Sequence, residues 1–325
     1  MSAPAAPLGP GSVAGLASII IPNWNGAAHL PTCLRALAAQ TYPHAEVLLV
    51  DNASTDDSLA LVARDFPAVR VLAQPRNLGF TGACNAGLRA AQGEVLILLN
   101  NDTEAAPDWL AEVMAAFARY PQAGSVASKM LLFDRRDTLH AAGDLFRRDG
   151  TPGNRGVWQK DTGQYAEGPV FSANGGSAAY RRALLADVGL LDDAFYFSLE
   201  DVDLGWRAQL RGWACIYAPR AVVYHKLSAT GGGVTHSYYN GRNFLYVLAK
   251  DVPGGLWRQY WPRMLGAQLR ITWEALRAWR GKEARARLRG QLAGLLRFPA
   301  LLQARRAVQS RRTAPLEAIE ALLED

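Results

Sequence analysis

Cysteine is scarce. The 325 residues hold three, Cys33, Cys84 and Cys215, far apart and outside any Cys-x-x-Cys pair. That argues against a disulfide framework and against a thiolate zinc site, and it fits a reducing cytoplasm. No run of about 18 apolar residues occurs, so no membrane-spanning helix is expected. The Ala/Pro/Gly-rich start lacks a basic region followed by an apolar core, and residues 1–16 read as a disordered lead-in rather than a signal peptide. A Gly-x-Gly-x-x-Gly turn is absent after the first apolar run, where Asn23-Trp24-Asn25-Gly26 stands instead. This disfavours a dinucleotide-dependent oxidoreductase. There is no internal repeat.

Charge of one sign is missing where it would matter most. Residues 256–312 hold 14 Lys and Arg against 2 acidic residues, a balance of +12, while the whole chain carries only +6. The basic character is therefore local. Within that segment Trp257, Trp261, Leu265, Leu269, Trp273 and Leu276 follow helical spacing, with Arg263, Arg270 and Arg277 on another side. Such a helix suits an anionic membrane surface. Packing against the rest of the chain, or against a second subunit in a homo-oligomer, is the alternative. No recognised motif supports nucleic-acid binding.

Half the residues are hydrophobic, enough for a sizeable core. Short β-rich runs alternate with helical patterns through residues 17–100. Strands are expected at Ala17–Pro22, Glu46–Val50, Val69–Ala73 and Glu94–Leu99. Helices are expected at Leu30–Ala39, Thr55–Asp65 and Gly79–Ala91. This order predicts an α/β fold with a mostly parallel sheet and helices on both faces. Ligands in such sheets bind beyond the carboxyl ends of the strands. Further strands are expected at Gly124–Leu132, Ala214–Ala218 and Val222–Tyr224, with a loop at 147–168. Beyond about residue 236 the pattern is wholly helical.

Several groups at strand ends carry chemical potential. Asn100-Asn101-Asp102 follows Val95–Leu99. A carboxylate there can hold a hard divalent cation that bridges phosphates, although Asn and Asp also favour turns and helix caps. Asp51 leaves the second strand and can accept from a base or ribose, while Ser54, Thr55 and Asp56 suit the cap of the next helix. Arg76-Asn77-Leu78-Gly79 opens the third helix, where backbone amides and a guanidinium can face phosphate. Glu200, Asp201 and Asp203 crowd one helix start, with Glu200 and Asp203 on a shared face. Such carboxylates are solvated, metal-bound or catalytic, and one of them can act as a general base. His225 follows an apolar strand and gains interest only beside a metal site.

Taken in order, Ile20-Ile21-Pro22-Asn23-Trp24-Asn25-Gly26, Val50-Asp51-Asn52-Ala53-Ser54-Thr55-Asp56, Arg76-Asn77-Leu78-Gly79-Phe80, Leu99-Asn100-Asn101-Asp102-Thr103, Glu200-Asp201-Val202-Asp203-Leu204 and His225 resemble the family 2 inverting glycosyltransferases of the GT-A fold. The likeness is strongest to their rhamnosyltransferase-like branch and covers residues 17 to about 250. It implies a catalytic domain at 17–250, with a nucleotide-binding half at 17–102 and an acceptor half at 103–250, followed by a basic helical extension at 251–325. Pro22, Asn23, Asn25, Asp51, Asp56, Arg76 and Asn100 would serve the nucleotide. Asp102 and His225 would hold Mg²⁺ or Mn²⁺, with Asn100 standing where the family's first aspartate is usual. Asp201 would be the base and Glu200 its supporting carboxylate. The donor would be dTDP-rhamnose or a UDP-sugar, and the acceptor a glycan or lipid-linked glycan. The charge and the Trp stripe of residues 256–312 lead us to expect a cytoplasmic enzyme held peripherally at the inner face of the cytoplasmic membrane, where a lipid-linked acceptor would wait. A non-catalytic nucleotide-sugar-binding module is the competing reading, and the Glu200-Asp201 pair weighs against it.

Overall fold

The computed structural model describes residues 8–9, 12–227 and 233–325. The chain begins with alternating strands and helices: β1 (Val13–Asn23), α1 (Leu30–Ala38), β2 (Ala45–Asp51), α2 (Ser58–Asp65), β3 (Arg70–Ala73), α3 (Gly79–Ala90) and β4 (Gly93–Leu99). The four strands lie parallel in the order β3–β2–β1–β4. Ile19, Ile20 and Ile21 are all buried because helices cover both faces of the sheet, which gives continuous apolar runs rather than alternation. On one face α3 comes close enough that a Cβ on Gly87 would lie 2.3 Å from the Ile20 side chain.

The second half is built around long strands. It continues β5 (Thr103–Ala105), α4 (Trp109–Arg119), β6 (Ala123–Leu132), β7 (Leu139–Ala142), β8 (Asp144–Arg147), β9 (Pro152–Asn154), β10 (Gly168–Val170), β11 (Ser177–Arg181), α5 (Arg182–Val188), α6 (Glu200–Arg211) and β12 (Ala214–His225). β11 runs antiparallel between β4 and β6 and extends the sheet as β4–β11–β6–β12–β10. The chain closes with α7 (Gly233–Lys250), α8 (Gly254–Arg277), α9 (Lys282–Leu296), α10 (Phe298–Gln309), α11 (Leu316–Glu320) and β13 (Leu323–Glu324).

Several sequence expectations change. Of the lead-in, residues 1–7 and 10–11 lie outside the described residues, and Val13–Leu16 already belong to β1, held there by pairing with Gly93. The two pieces 214–218 and 222–224 are one strand, bulged between Ala218 and Val222 against β6. The expected loop at 147–168 contains β9, paired to β8. The tail is not wholly helical, since β13 returns to pair with β8. Helix α2 starts at Ser58, because Ser54 and Thr55 are tied to Asn25 and Asp51 in the preceding turn. Among the described residues no helix is long and apolar enough to cross a membrane.

Candidate functional site

Two adjoining cavities open at the carboxyl ends of the parallel strands. One of about 350 Å³ is lined by Pro22, Asn23, Asn52, Asn77, Gly79 and Asn101, among others. The other, of about 490 Å³, is lined by Asp102, His140, Asp144, Glu200, Asp201 and His225, among others. Asn100, Phe80 and Phe197 border both.

The smaller cavity rests on an amide network. Asn23 Oδ1 accepts from Asn101 Nδ2 at 2.8 Å, and Asn23 Nδ2 donates to Asp51 Oδ1 at 3.1 Å. The second Asp51 oxygen accepts from the Ser54 amide at 3.0 Å. Asp51 is buried and stands behind the wall, reaching the cavity through Asn23. Gly26 is required by this network, since a Cβ there would fall 2.2 Å from both Asn101 Nδ2 and Asn23 Oδ1. Asn52 clamps the turn before α3, accepting from the Leu78 amide and donating to Asn77 Oδ1 and the Gly79 carbonyl. Of the other residues expected here, Asn25 and Asp56 tie the turns of residues 23–27 and 54–58 together, and Arg76 is exposed; none of the three lines either cavity.

Asp102 and His225 are 123 positions apart in sequence, and strand pairing unites them. Thr103 of β5 faces His225 of β12, and the Lys226 amide donates to the Asp102 carbonyl at 3.0 Å. Asp102 Oδ1 and His225 Nε2 lie 3.1 Å apart, both buried. The other ring nitrogen of His225 meets Nδ1 of His140 at 3.1 Å, and His140 is placed there by β7 hanging on β6. Burial, followed by repulsion from His225 if charged, pushes His140 down to about 3, so it is neutral. Its Nε2 faces Asn154 Nδ2 at 3.2 Å, and Asn154 Oδ1 in turn accepts from Asn174, so Nε2 accepts and the ring's one proton sits on Nδ1, toward His225. A proton on His225 Nε2 makes that ring a donor to Asp102. Ligation of a metal through Nε2 takes the other His225 tautomer, with its proton on Nδ1, which requires His140 to carry its own proton on Nε2 and the Asn154 amide to turn over.

The acidic helix start is held by its neighbours. Asp201 Oδ2 accepts from the Gly175 amide at 2.7 Å, and Oδ1 from its neighbour's amide, that of Val202, at 2.8 Å. Burial raises Asp201 above the ordinary aspartate range, and these backbone donors pull it part of the way back. Glu200 has weaker support: burial and then the Asp201 charge push it well above the carboxylate range, and its Oε2 has no hydrogen-bond partner. Asp144, held by Asn174 and Ser172, is pushed up by burial and by Asp201 in the same way. Asp203 differs. Burial alone would raise it, but Arg207 and Lys250 hold it below its usual value. It is a structural anchor that joins α6 to Lys250 at the end of α7, and it does not line the cavity.

The loop before α6 is strained. Tyr196, Ser198 and Leu199 all have left-handed backbones, with φ of 63°, 68° and 66°. Each such non-glycine residue costs about 1–3 kcal/mol and persists only when its surroundings impose it. The buried Asn243 of α7 imposes it by donating to the carbonyls of Phe195, Phe197 and Ser198 at 2.7–3.1 Å. His140, Asp144, Asn174 and Asn243 were not singled out in sequence. A histidine inside the buried run Leu139–Ala142 was the one available signal.

The separation of Asp102 Oδ1 from His225 Nε2 is that of two adjacent ligands on a six-coordinate cation, about 3 Å for bonds near 2.1 Å. Asn100 Oδ1, buried and without a partner, adds an oxygen at the junction of the cavities. These residues suit a cation that completes its shell with water and phosphate. Among the described residues no group of three or more His, Cys, Asp or Glu side chains is arranged to hold a metal by itself.

The N-acetylglucosaminyl-diphospho-decaprenol L-rhamnosyltransferase of Mycobacterium tuberculosis is 27% identical over 266 residues, covering 74% of this chain and 86% of that protein. The O-antigen biosynthesis protein RfbC of Myxococcus xanthus is 30% identical over 66% of this chain, which corresponds to only 17% of RfbC. The solved structure of a mannosyltransferase from Pyrobaculum calidifontis, in complex with GDP-Man and Mn²⁺, matches 98% of this chain and 88% of its own at a TM-score of 0.56 and 19% identity. GalNAc-T7 with UDP, GalNAc and Mn²⁺ matches 75% of this chain and 49% of its own at a TM-score of 0.58 and 18% identity. The fold is therefore GT-A. The model described as glycosyl transferase family 2 matches residues 18–189, which span β1 to α5 and hold every strand end around the smaller cavity, and the chain belongs to that family.

Proposed function

We propose that this glycosyltransferase moves rhamnose from dTDP-rhamnose, with a UDP-sugar as the alternative donor, to a hydroxyl of a lipid-linked glycan, inverting the anomeric centre. The observation that carries this reading is the pair of adjoining cavities. One is walled by neutral amides suited to a nucleotide, and the other places Asp102 and Asp201 around a single space. The rhamnosyltransferase relative supplies the sugar and the class of acceptor, a polyprenyl diphosphate carrying an amino sugar.

Mg²⁺ or Mn²⁺, held by Asp102 and His225, would supply positive charge against the departing nucleoside diphosphate. The chain's own residues do the rest. Asn23 and Asn52 spend their side-chain amides on Asp51, Ser54, Asn101 and the turn before α3, and so fix the shape of the wall against which the nucleotide lies. Asp201 takes the proton of the acceptor hydroxyl as that oxygen bonds to the anomeric carbon. The bond from that carbon to the diphosphate breaks on the opposite face. A single displacement of this kind inverts the centre, as in the inverting hydrolases.

The backbone donors on Asp201 support its assignment as base over Glu200. They favour its ionised form, and a base must be ionised to act. Glu200, pushed further up, is suited to donate a hydrogen bond to the acceptor. Calorimetric titration with UDP, dTDP, GDP and ADP tests the donor half of this proposal. Tighter binding of either purine nucleotide would exclude it.

A further inference from the structure

The fold leaves one large apolar face bare. Along α8, Leu256, Tyr260, Met264, Ala267 and Ala275 are buried against the protein. Trp261, Leu265, Leu269, Trp273 and Leu276 are exposed, with Leu269 and Trp273 at 60% and 61%. At 100° per residue the exposed set falls within an arc of about 120°, opposite the buried set. The sequence left open whether this helix packs on protein or stands free, and it does both, one on each face. The bare face extends sideways. Gln291 donates to Thr272 at 2.9 Å and holds α9 alongside α8, and α9 leaves Leu292, Leu295 and Leu296 exposed. Arginines line the same segment. Arg258, Arg277 and Arg297 are exposed, and Arg263 and Arg270 make ion pairs that are largely open to solvent.

We infer that the exposed face of α8, extended by α9, is a docking surface for an anionic lipid bilayer. Its chemistry is that of a helix lying in a membrane interface: tryptophans and leucines to enter the headgroup boundary, and arginines to meet lipid phosphates. Charge selects this occupant over a second copy of the chain. A symmetric pairing through this face would set +7 against +7, since residues 254–296 hold nine Lys and Arg against two Glu. Nucleic acid would match the charge but not the aliphatic centre of the face. The inference does not depend on the donor. It rests on the proposed function only in that a lipid-linked acceptor would lie in the same bilayer.

The test uses the full chain and vesicles of phosphatidylcholine with or without 30% phosphatidylglycerol, prepared without acceptor. Flotation at ~0.1 M and ~0.5 M salt is compared for wild type and for a Trp261→Ser/Leu269→Gln/Trp273→Ser variant. Wild type is expected to float with the anionic vesicles at least ~10-fold more than with neutral ones, and less in high salt. The variant is expected to lose at least ~10-fold of that binding while its nucleotide affinity, measured by calorimetry, stays unchanged. That last readout shows that the variant is folded and separates this inference from the donor assignment. Equal flotation of wild type and variant would overturn the inference. So would sedimentation showing a wild-type dimer that the variant loses, since the face would then belong to a second copy.

Discussion

Replacing Asp201 by asparagine removes a charge and almost no volume. The two oxygens of Asp201 face two amide donors, Gly175 at 2.7 Å and Val202 at 2.8 Å. An asparagine can satisfy only one of them. The lost bond to a charged acceptor is worth about 1.5–3 kcal/mol. Against that, the variant takes one negative charge out of a buried cluster whose other members, Glu200 and Asp144, are pushed up by it. The two effects oppose each other, and the melting temperature should change little. The chemistry should not be spared. A positioned base contributes about 10²–10⁴ in rate, which corresponds to about 2.7–5.5 kcal/mol of barrier. Steady-state kinetics should show kcat falling by that factor, with the dissociation constant of the nucleotide unchanged. The pH profile gives a second readout. Because Asp201 is raised, the acid limb of kcat/KM in wild type should lie above the usual aspartate value of about 4 and should vanish in the variant. Glu200→Gln should act more mildly and partly through acceptor KM. If Asp201→Asn keeps wild-type turnover while Glu200→Gln is dead, the two roles are reversed. If both lose nucleotide binding, the pair serves the metal instead.

Asp102→Ala, or excess chelator on the wild type, should abolish turnover, measured as nucleoside diphosphate release; full activity in chelator would refute metal dependence. His140→Phe should weaken Mn²⁺ binding in the presence of nucleotide by about 10–100-fold, the usual loss when the partner of a ligating histidine is removed, as read by electron paramagnetic resonance; unchanged affinity would show that His225 does not need this partner. Asn243→Ala takes their side-chain donor from the Phe197 and Ser198 carbonyls of the strained loop, leaving Phe195 to Arg242, and should lower stability by at least about 1 kcal/mol and reduce kcat together. A stable variant with normal kcat would mean that the loop holds itself.

Much of the fold was legible because its first hundred residues alternate an apolar strand, a polar strand end and an amphipathic helix. The strand ends Asn23, Asn100 and Asp102 could be found from that pattern and do line the cavities. Asp51 and Arg76 show its limit: position at a strand or loop end does not say which way a side chain turns, and Asp51 is spent on Asn23 and Ser54. The meeting of Asp102 with His225 was suggested by family likeness, and its physical cause, the pairing of β5 with β12, involves a three-residue strand too short to show periodicity. His140 and Asn243 were missed for a similar reason. Each is one polar residue whose meaning lies in a partner 45 to 85 positions away. The acidic trio was visible as a group, but its division was not, because only packing shows that Asp203 meets Arg207 and Lys250 while Asp201 meets backbone amides.

The central claim is that this chain transfers a sugar from a pyrimidine nucleotide to a lipid-linked hydroxyl. The most direct measurement is nucleoside diphosphate release by the purified full chain, with Mn²⁺, from dTDP-rhamnose, UDP-sugars and GDP-mannose. Each donor is assayed with and without polyprenyl-diphosphate-linked N-acetylglucosamine. Acceptor-dependent release is expected from dTDP-rhamnose or a UDP-sugar, lost in Asp201→Asn, with an anomeric configuration in the product opposite to that of the donor. Acceptor-dependent release from GDP-mannose alone, or a product that retains the donor's configuration, would contradict it.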